Sequence, residues 1–184
     1  MDWLYQWDLS EFRSINIGWS SHWLDPVFMV LSYSGLGLFP TLAPFLFLFG
    51  KRTKHYVLPL LITVFVSGVL LADVIKQLIP RDRPSNLAFA IRQEPHLLGS
   101  FPSGHTTTSF GFATMLTLMA WNSRFRWIAV SSFLWAILVG FSRIYRGVHW
   151  PTDVLAGACL GIGSGCLLYI VLPKVKVRVV ETAD

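Results

Sequence analysis

The sequence predicts an all-α protein built as a bundle of membrane-spanning helices. Of its 184 residues, 53% are hydrophobic and only 14% carry a charge, whereas soluble domains carry about 25% charged residues. The mean hydropathy is +0.54, and several uncharged runs approach the roughly 20 residues that a helix needs to cross the hydrocarbon core. We therefore expect one membrane domain over residues 1–184, with no linker, internal repeat or second domain.

The first 25 residues predict an amphipathic helix that lies in the membrane interface. Apolar side chains recur there at helical spacing with charged residues between them, at Trp3, Leu4, Trp7, Phe12, Ile15 and Trp19. The segment contains no spanning run, which is typical of an interfacial helix. It also lacks the basic start and the continuous apolar centre of a cleavable signal peptide.

Five later segments are candidates for spanning helices, and they form a predicted bundle over residues 26–172. They cover residues 26–50, 56–79, 105–121, 127–141 and 152–172. The fourth is short for a span, and a sixth, partly inserted helix around residues 22–35 is an alternative. Residues 173–184 would then form a tail beyond the last span.

The basic residues predict the orientation of this bundle. The connections after the first and third spans read KRTKH and NSRFR, and the tail contains KVKVR. The positive-inside rule therefore places these segments and the C-terminus in the cytoplasm. The opposite side also carries arginines, at Arg81, Arg83, Arg92, Arg143 and Arg146. Because unpaired charge beside lipid is costly, we expect several of them to serve a ligand or an ion pair.

Three polar clusters fall at the outer ends of the spans. KQLIPRDRP supplies Lys76 and Arg83, FPSGH supplies Ser103, Gly104 and His105, and SRIYRGVHWPTD supplies Arg143, His149 and Asp153. Cations, two imidazoles and one carboxylate on one face predict a pocket for an anion.

The start of the third span favours phosphate as that anion. With Ser103 as the N-cap, free backbone amides and the positive end of the helix dipole point outward, and Gly104 leaves room for a close approach. Lys76 and Arg83 are seven residues apart, which is two turns along one face if the helix continues past Pro80. Arg143 adds a planar fork that can donate two hydrogen bonds to one phosphate.

The same pocket contains the groups needed for nucleophilic catalysis. Asp153 follows His149 by four residues, so its carboxylate can orient the imidazole and support positive charge on it. His149 would attack phosphorus, and His105 on another helix would protonate the leaving oxygen. Arg81 and Arg146 lie beside these positions and are expected to contribute much less.

The three motifs resemble those of the type 2 phosphatidic acid phosphatases, which are related to the vanadium haloperoxidases. The resemblance covers roughly residues 26–172 and is carried by Lys76, Arg83, Pro84, Pro102 to His105, Ser142, Arg143, His149 and Asp153. It implies a helical bundle with its active site near the outer membrane face and a metal-independent phosphatase acting through a phosphohistidine. Many members have a further N-terminal span, which this chain replaces with its aromatic segment.

The expected activity is therefore hydrolysis of a lipid phosphate or diphosphate at the bacterial inner membrane, without a cofactor. The resemblance to small bacterial members favours undecaprenyl diphosphate as the substrate. Phosphatidylglycerophosphate, phosphatidic acid and lipid A 1-phosphate remain open, as does an inactive protein that binds or transports a lipid phosphate.

Other interpretations of the sequence are less favoured. His105, His149 and Asp153 could ligate zinc, but the neighbouring cations would repel it. The lysines and arginines are scattered rather than arranged in a stripe, which argues against nucleic-acid binding. Glycines at positions 157, 161 and 165 fit either a dimer face or close packing within the bundle, so the oligomeric state stays open.

Overall fold

The described part of the chain, residues 2–50, 53–95 and 99–172 of this computed structural model, folds into seven helices and one separate 3-10 turn at Pro84–Asn86, and contains no strand. The helices are α1 (Asp2–Asn16), α2 (Leu24–Gly35), α3 (Leu38–Phe49), α4 (Lys54–Leu78), α5 (Gly104–Ala120), α6 (Arg126–Tyr145) and α7 (Pro151–Val171). The predicted cytoplasmic tail at residues 173–184 lies outside the described residues. The all-helical class is confirmed.

Three of these helices, α4, α6 and α7, are long and apolar enough to cross a membrane. The pair α2 and α3 provides a fourth span if it is counted as one, although it bends by 47°. The chain is therefore an integral membrane protein, but the predicted count of five or six spans is not confirmed. The remaining candidate, α5, has 17 residues and a length of about 26 Å.

Two predicted spans have different boundaries in the structure. The first, at residues 26–50, is broken between Gly35 and Leu38, because glycine is unfavourable inside a helix and Pro40 fits best in the first turn of a new one. The fourth, expected to be short, runs for 20 residues. It is longer because the polar residues near Arg143 continue the helix inside the bundle, where they are buried.

Helix α5 is the centre of the bundle. It packs most extensively against α7 and also against α4 and α6, and most of its side chains are buried. An apolar cluster surrounds its C-terminal half, with Leu60 of α4, Met115 and Leu116 of α5, and Ala129 of α6. The polar N-terminal end of α5 therefore lies at the opposite end of the bundle from this cluster.

The small residues of α7 allow it to lie close against α5. A Cβ atom on Gly161 would collide with the carbonyl oxygen of Thr107, and one on Gly157 would lie 2.8 Å from the carbonyl oxygen of Ser103. A hydrogen bond of 2.7 Å between Ser67 and Ser164 adds a polar contact from α4 to α7. Of the two predicted roles for these glycines, the structure shows packing within the bundle.

Helix α1 has exposed aromatic residues on one face and buried residues on the other. Trp3 is 74% exposed, whereas Asp8, Phe12 and Asn16 are almost completely buried. These three residues are spaced by four, so they form one face of the helix. A helix is present in the predicted segment, at Asp2–Asn16. Its inward face holds a carboxylate and an amide, which the apolar periodicity alone would assign to the polar face.

Candidate active site

The three predicted polar clusters meet at one end of the bundle, where α4 ends, α5 and α7 begin and α6 ends. They border a cleft of about 560 Å³. Six of the eight predicted site residues line it: Lys76, Arg83, Gly104, His105, Arg143 and His149. Ser103 and Asp153 are fully buried and do not belong to the lining.

His149 lies in the connection between α6 and α7 with 2% of its surface exposed. Its Nε2 atom is 3.4 Å from a terminal nitrogen of Arg83, and its Nδ1 atom is 3.5 Å from Asp153. Burial, together with the charges of Arg143, Arg83 and Lys76, holds the pKa of His149 well below its ordinary value. The imidazole is therefore neutral near pH 7, which is the form that a nucleophile requires.

Asp153 occupies the first turn of α7, where it is held from two sides. One carboxylate oxygen accepts a hydrogen bond of 2.9 Å from the backbone amide of Trp150, and the other is 2.5 Å from Arg81. The first oxygen also faces Nδ1 of His149, at a separation longer than a hydrogen bond. The carboxylate is thus placed behind the imidazole, as predicted, but it does not form a hydrogen bond with it here.

Arg83 reaches the cleft from extended backbone rather than from a helix. Helix α4 ends at Leu78, so the helix does not continue past Pro80 and Lys76 and Arg83 do not share one helical face. Pro80 and Pro84 cannot donate backbone hydrogen bonds to a helix, which explains the break. Arg83 is instead held by the carbonyl oxygens of Val148 and Gly99, each at 3.0 Å.

Arg143 is bound by a carboxylate that none of the three sequence motifs contains. Its two terminal nitrogens donate to the two carboxylate oxygens of Glu94 at 2.7 and 2.8 Å. Glu94 also accepts hydrogen bonds from Arg146 and Ser32. Burial alone would raise the pKa of Glu94, but Arg143, Arg146 and Ser32 outweigh it and hold that pKa well below its usual range.

The ion pair leaves one edge of Arg143 for a ligand. A guanidinium has five N–H donors, and Glu94 takes the edge formed by the two terminal nitrogens. The Nε atom of Arg143 is buried without a hydrogen-bond partner, and the residue lines the cleft. Glu94 therefore occupies the terminal nitrogens of Arg143, and the Nε edge is the part of the predicted phosphate fork that it leaves unoccupied.

The start of α5 presents backbone amides to the cleft. Ser103 is the N-cap residue, but its side chain makes no capping hydrogen bond; its hydroxyl accepts one from Thr106 at 2.9 Å. The first amides of the helix therefore keep their donors for an anion. Gly104 lines the cleft, and a Cβ atom added to it would lie 4.0 Å from the amine of Lys76.

Two arginines outside the predicted site also have defined partners. Arg81 contacts Asp8 and Asp153, and Arg146 contacts Glu94. These pairs explain why so many arginines occur on the predicted outer side. Sequence reasoning missed Asp8 and Glu94, although an excess of arginines near lipid already required buried carboxylates.

The alternative to an anion site is that His105, His149 and Asp153 bind a metal ion. Among residues 2–50, 53–95 and 99–172, no group of three His, Cys, Asp or Glu side chains is arranged to hold a metal ion. The cleft itself is lined by three cations, Lys76, Arg83 and Arg143, and by one carboxylate, Asp73, so that positive charge exceeds negative charge. Its charge suits an anionic ligand.

Comparison with known proteins agrees with this geometry. A family model described as the PAP2 superfamily matches residues 53–176, a range that contains every predicted site residue. The chain belongs to the PAP2 superfamily. Its structure also resembles the crystal structure of Aquifex aeolicus LpxE, with a TM-score of 0.71, 36% sequence identity and coverage of 87% of this chain and 93% of that one.

The curated relatives of this PAP2 chain are named for different substrates. It is 30% identical to a lipid A 4'-phosphatase of Bacteroides thetaiotaomicron over 70% of this chain and 59% of the relative. It is 36% identical to an undecaprenyl-diphosphatase of Sulfolobus acidocaldarius over 63% of this chain and 55% of the relative. The chain thus spans somewhat more than half the length of these relatives.

Proposed function

We propose that this protein is a membrane phosphatase that removes phosphate from a lipid phosphate or diphosphate. The observation that carries the proposal is the composition of the cleft. One end is cationic, and the other is lined by apolar side chains of α4 and of the break between α2 and α3, including Leu36, Leu61, Val64, Phe65 and Val69. Such a cleft fits an amphiphile with a phosphate at its polar end.

The proposed reaction forms a phosphohistidine. The Nε2 atom of His149 attacks phosphorus and the bond from phosphorus to the leaving oxygen breaks, while His105 donates a proton to that oxygen. Water then attacks the phosphorus, the bond to Nε2 breaks, and His105 takes the proton from the water. Lys76, Arg83, the Nε edge of Arg143 and the amides of Gly104 and its neighbours stabilise the charge on the phosphoryl oxygens.

We place the cleft at the extracytoplasmic face of the bacterial inner membrane, with the C-terminus in the cytoplasm. Undecaprenyl diphosphate, converted to undecaprenyl phosphate, is the proposed substrate. It is supported by the resemblance to small bacterial members and by the undecaprenyl-diphosphatase among the relatives. Lipid A 1-phosphate is the second candidate, because the chain is also similar to a lipid A 1-phosphatase of Rhizobium johnstonii.

A panel of lipid substrates tests the proposal. Purified protein in EDTA is incubated with undecaprenyl diphosphate, lipid A 1-phosphate, phosphatidylglycerophosphate and phosphatidic acid, and released phosphate is measured. We expect release in EDTA, fastest from undecaprenyl diphosphate. Release from none of them would support a binding or transport protein, and activity that requires added zinc or magnesium would contradict the phosphohistidine mechanism.

A further inference from the structure

A buried series of charges connects α1 to the proposed nucleophile. Asp8 of α1 is completely buried and lies outside the cleft. Its carboxylate accepts hydrogen bonds from Arg81 at 2.6 Å, from the backbone amide of Thr152 at 2.9 Å and from the Thr152 hydroxyl at 2.6 Å. A carboxylate without solvent needs such partners, and all of these belong to segments that also contact Asp153.

Arg81 is shared between two carboxylates. One terminal nitrogen binds Asp8 and the other binds Asp153 and the Thr152 hydroxyl. Its side chain is 27% exposed, whereas both carboxylates are fully buried. Charges therefore alternate along the series, from Asp8 to Arg81 to Asp153, and the last carboxylate faces His149.

We propose that Asp8 and Arg81 are positioning residues for Asp153, so that α1 helps to build the active site. Arg81 holds one oxygen of Asp153 and leaves the other directed at His149. Asp8 offsets part of the positive charge of Arg81, so that the negative charge of Asp153 is not fully cancelled at the imidazole of His149. The proposal rests on the phosphohistidine mechanism proposed above.

The charges predict opposite effects for the two residues. Removing the Arg81 cation takes a positive charge away from the neighbourhood of His149, which favours protonated His149 and moves the acid limb of the pH–activity profile to higher pH. Removing the Asp8 anion strengthens the hold of Arg81 on Asp153, which favours neutral His149 and moves the limb to lower pH. The other charged or titratable groups around His149 are unchanged in both variants: Lys76, Arg83, His105 and Arg143.

The experiment measures kcat and kcat/KM from about pH 4 to about pH 9 for wild type, Asp8→Asn and Arg81→Ala, all with one lipid phosphate substrate. We expect the acid limbs to move in opposite directions, by about 0.5 pH unit each. We also expect kcat to fall about tenfold or more, with KM within about twofold, because neither residue lines the cleft. Arg81→Lys, which keeps the charge, should restore the wild-type position of the limb.

Two further variants separate positioning from simple support of the fold. Asn16 also attaches α1, through hydrogen bonds to the carbonyl oxygens of Ile91 and Tyr145 at 2.9 and 2.7 Å, but it carries no charge. Asn16→Ala should lower the melting temperature and leave the acid limb in place. Glu11→Gln, an acid-to-amide change elsewhere on α1, should leave kcat and the limb unchanged.

The possible failures of this proposal and of the phosphatase proposal are distinct. Wild-type protein that releases no phosphate, or His149→Ala with full activity, would contradict the proposed mechanism. An active wild type whose limb stays in place in Asp8→Asn and Arg81→Ala, or moves in the same direction in both, would overturn the positioning role alone. If Asp8→Asn does not fold, the comparison of Arg81→Ala with Arg81→Lys tests the proposal. Acid limbs at the same pH in these two variants would overturn the positioning role.

Discussion

Two histidines with the same chemistry occupy different positions around the proposed phosphate. His149 has Asp153 behind it and Arg83 beside its Nε2 atom, whereas His105 is in the first turn of α5. One histidine cannot carry the phosphoryl group and donate a proton in the same step. The carboxylate behind His149 is consistent with the proposed role of His149 as the nucleophile, and His105 is the proposed acid.

The first prediction distinguishes these two roles by the leaving group. His149→Ala should lose turnover of every substrate, because no leaving group can replace the attacking nitrogen. His105→Ala should lose most activity on a lipid monophosphate but keep a larger share on p-nitrophenyl phosphate, whose leaving group needs little protonation. A rapid-quench measurement of the first-turnover burst compares the two. A burst retained by His149→Ala and absent from His105→Ala would mean that the roles are reversed.

The second prediction concerns the buried carboxylate of Glu94. Removing one partner of a buried ion pair leaves the other charge uncompensated, so Glu94→Gln should destabilise the protein by about 3 kcal/mol at neutral pH. Because Arg143 and Arg146 hold the pKa of Glu94 below its usual range, this stabilisation is present above the pKa of the unfolded carboxyl. It is lost as the pH falls through the lower, folded pKa.

Thermal unfolding in detergent micelles at about pH 7 and about pH 2 measures this effect. The difference between wild type and Glu94→Gln should be largest at neutral pH and smaller in acid. Glu11→Gln serves as the matched control and should change the melting temperature little at either pH. A deficit of Glu94→Gln that does not depend on pH would contradict the proposed origin in the ion pairs.

At the scale of helices, the contact between α5 and α7 determines how the site is assembled. The amide of Ser103 donates to the carbonyl oxygen of Asp153 at 3.1 Å, so the start of α5 is attached to the start of α7. Close packing of the two helices over several turns maintains that contact. A residue far from the cleft can therefore affect the separation of His105 and His149.

The third prediction tests this packing with two glycines of α7. Gly161→Ala would push its Cβ atom against the carbonyl oxygen of Thr107 and should cost about 1 to 3 kcal/mol of stability. Gly163 has no atom within 4 Å of a Cβ position, and Gly163→Ala should be neutral or stabilising by up to about 1 kcal/mol. Melting temperatures in the same detergent compare the variants. Equal melting temperatures would show that α7 tolerates a larger separation from α5.

The sequence predicted the elements that depend on local pattern and missed those that depend on distant partners. The helical class, the helix start at Gly104 and the convergence of the three motifs follow from apolar periodicity, capping residues and alternation across the membrane. The break before α3 divides the first predicted span, and the alternative helix around residues 22–35 corresponds to α2 (Leu24–Gly35). Asp8 and Glu94 were missed because their partners lie more than 45 positions away in the sequence, and no local pattern identifies such pairs.

For the whole molecule, the ion pairs change how the positive-inside rule applies. Arg81, Arg143 and Arg146 are neutralised by buried carboxylates, so they do not act as free positive charge at the outer surface. The basic residues of the connections around residues 51–55 and 122–126 then dominate the asymmetry. The bundle should therefore orient with these connections in the cytoplasm and the cleft outside.

The last prediction tests this orientation with single cysteines. The natural cysteines, Cys159 and Cys166, are both free and are first replaced by alanine. Thr53 is the obvious site on the cytoplasmic connection, but it is buried and donates a hydrogen bond to the carbonyl oxygen of Phe47. Its exposed neighbour Lys54 is therefore the better position, and exposed Arg92 represents the opposite side.

A maleimide that cannot cross membranes is added to intact bacterial cells with the outer membrane permeabilised. We expect it to label Arg92→Cys and not Lys54→Cys, and Lys54→Cys should react once the inner membrane is opened. Both variants must retain phosphatase activity, since a misfolded bundle would expose either position. Labelling of Lys54→Cys in intact cells, with Arg92→Cys protected, would place the cleft on the cytoplasmic face and would restrict its substrates to lipid phosphates of the inner leaflet.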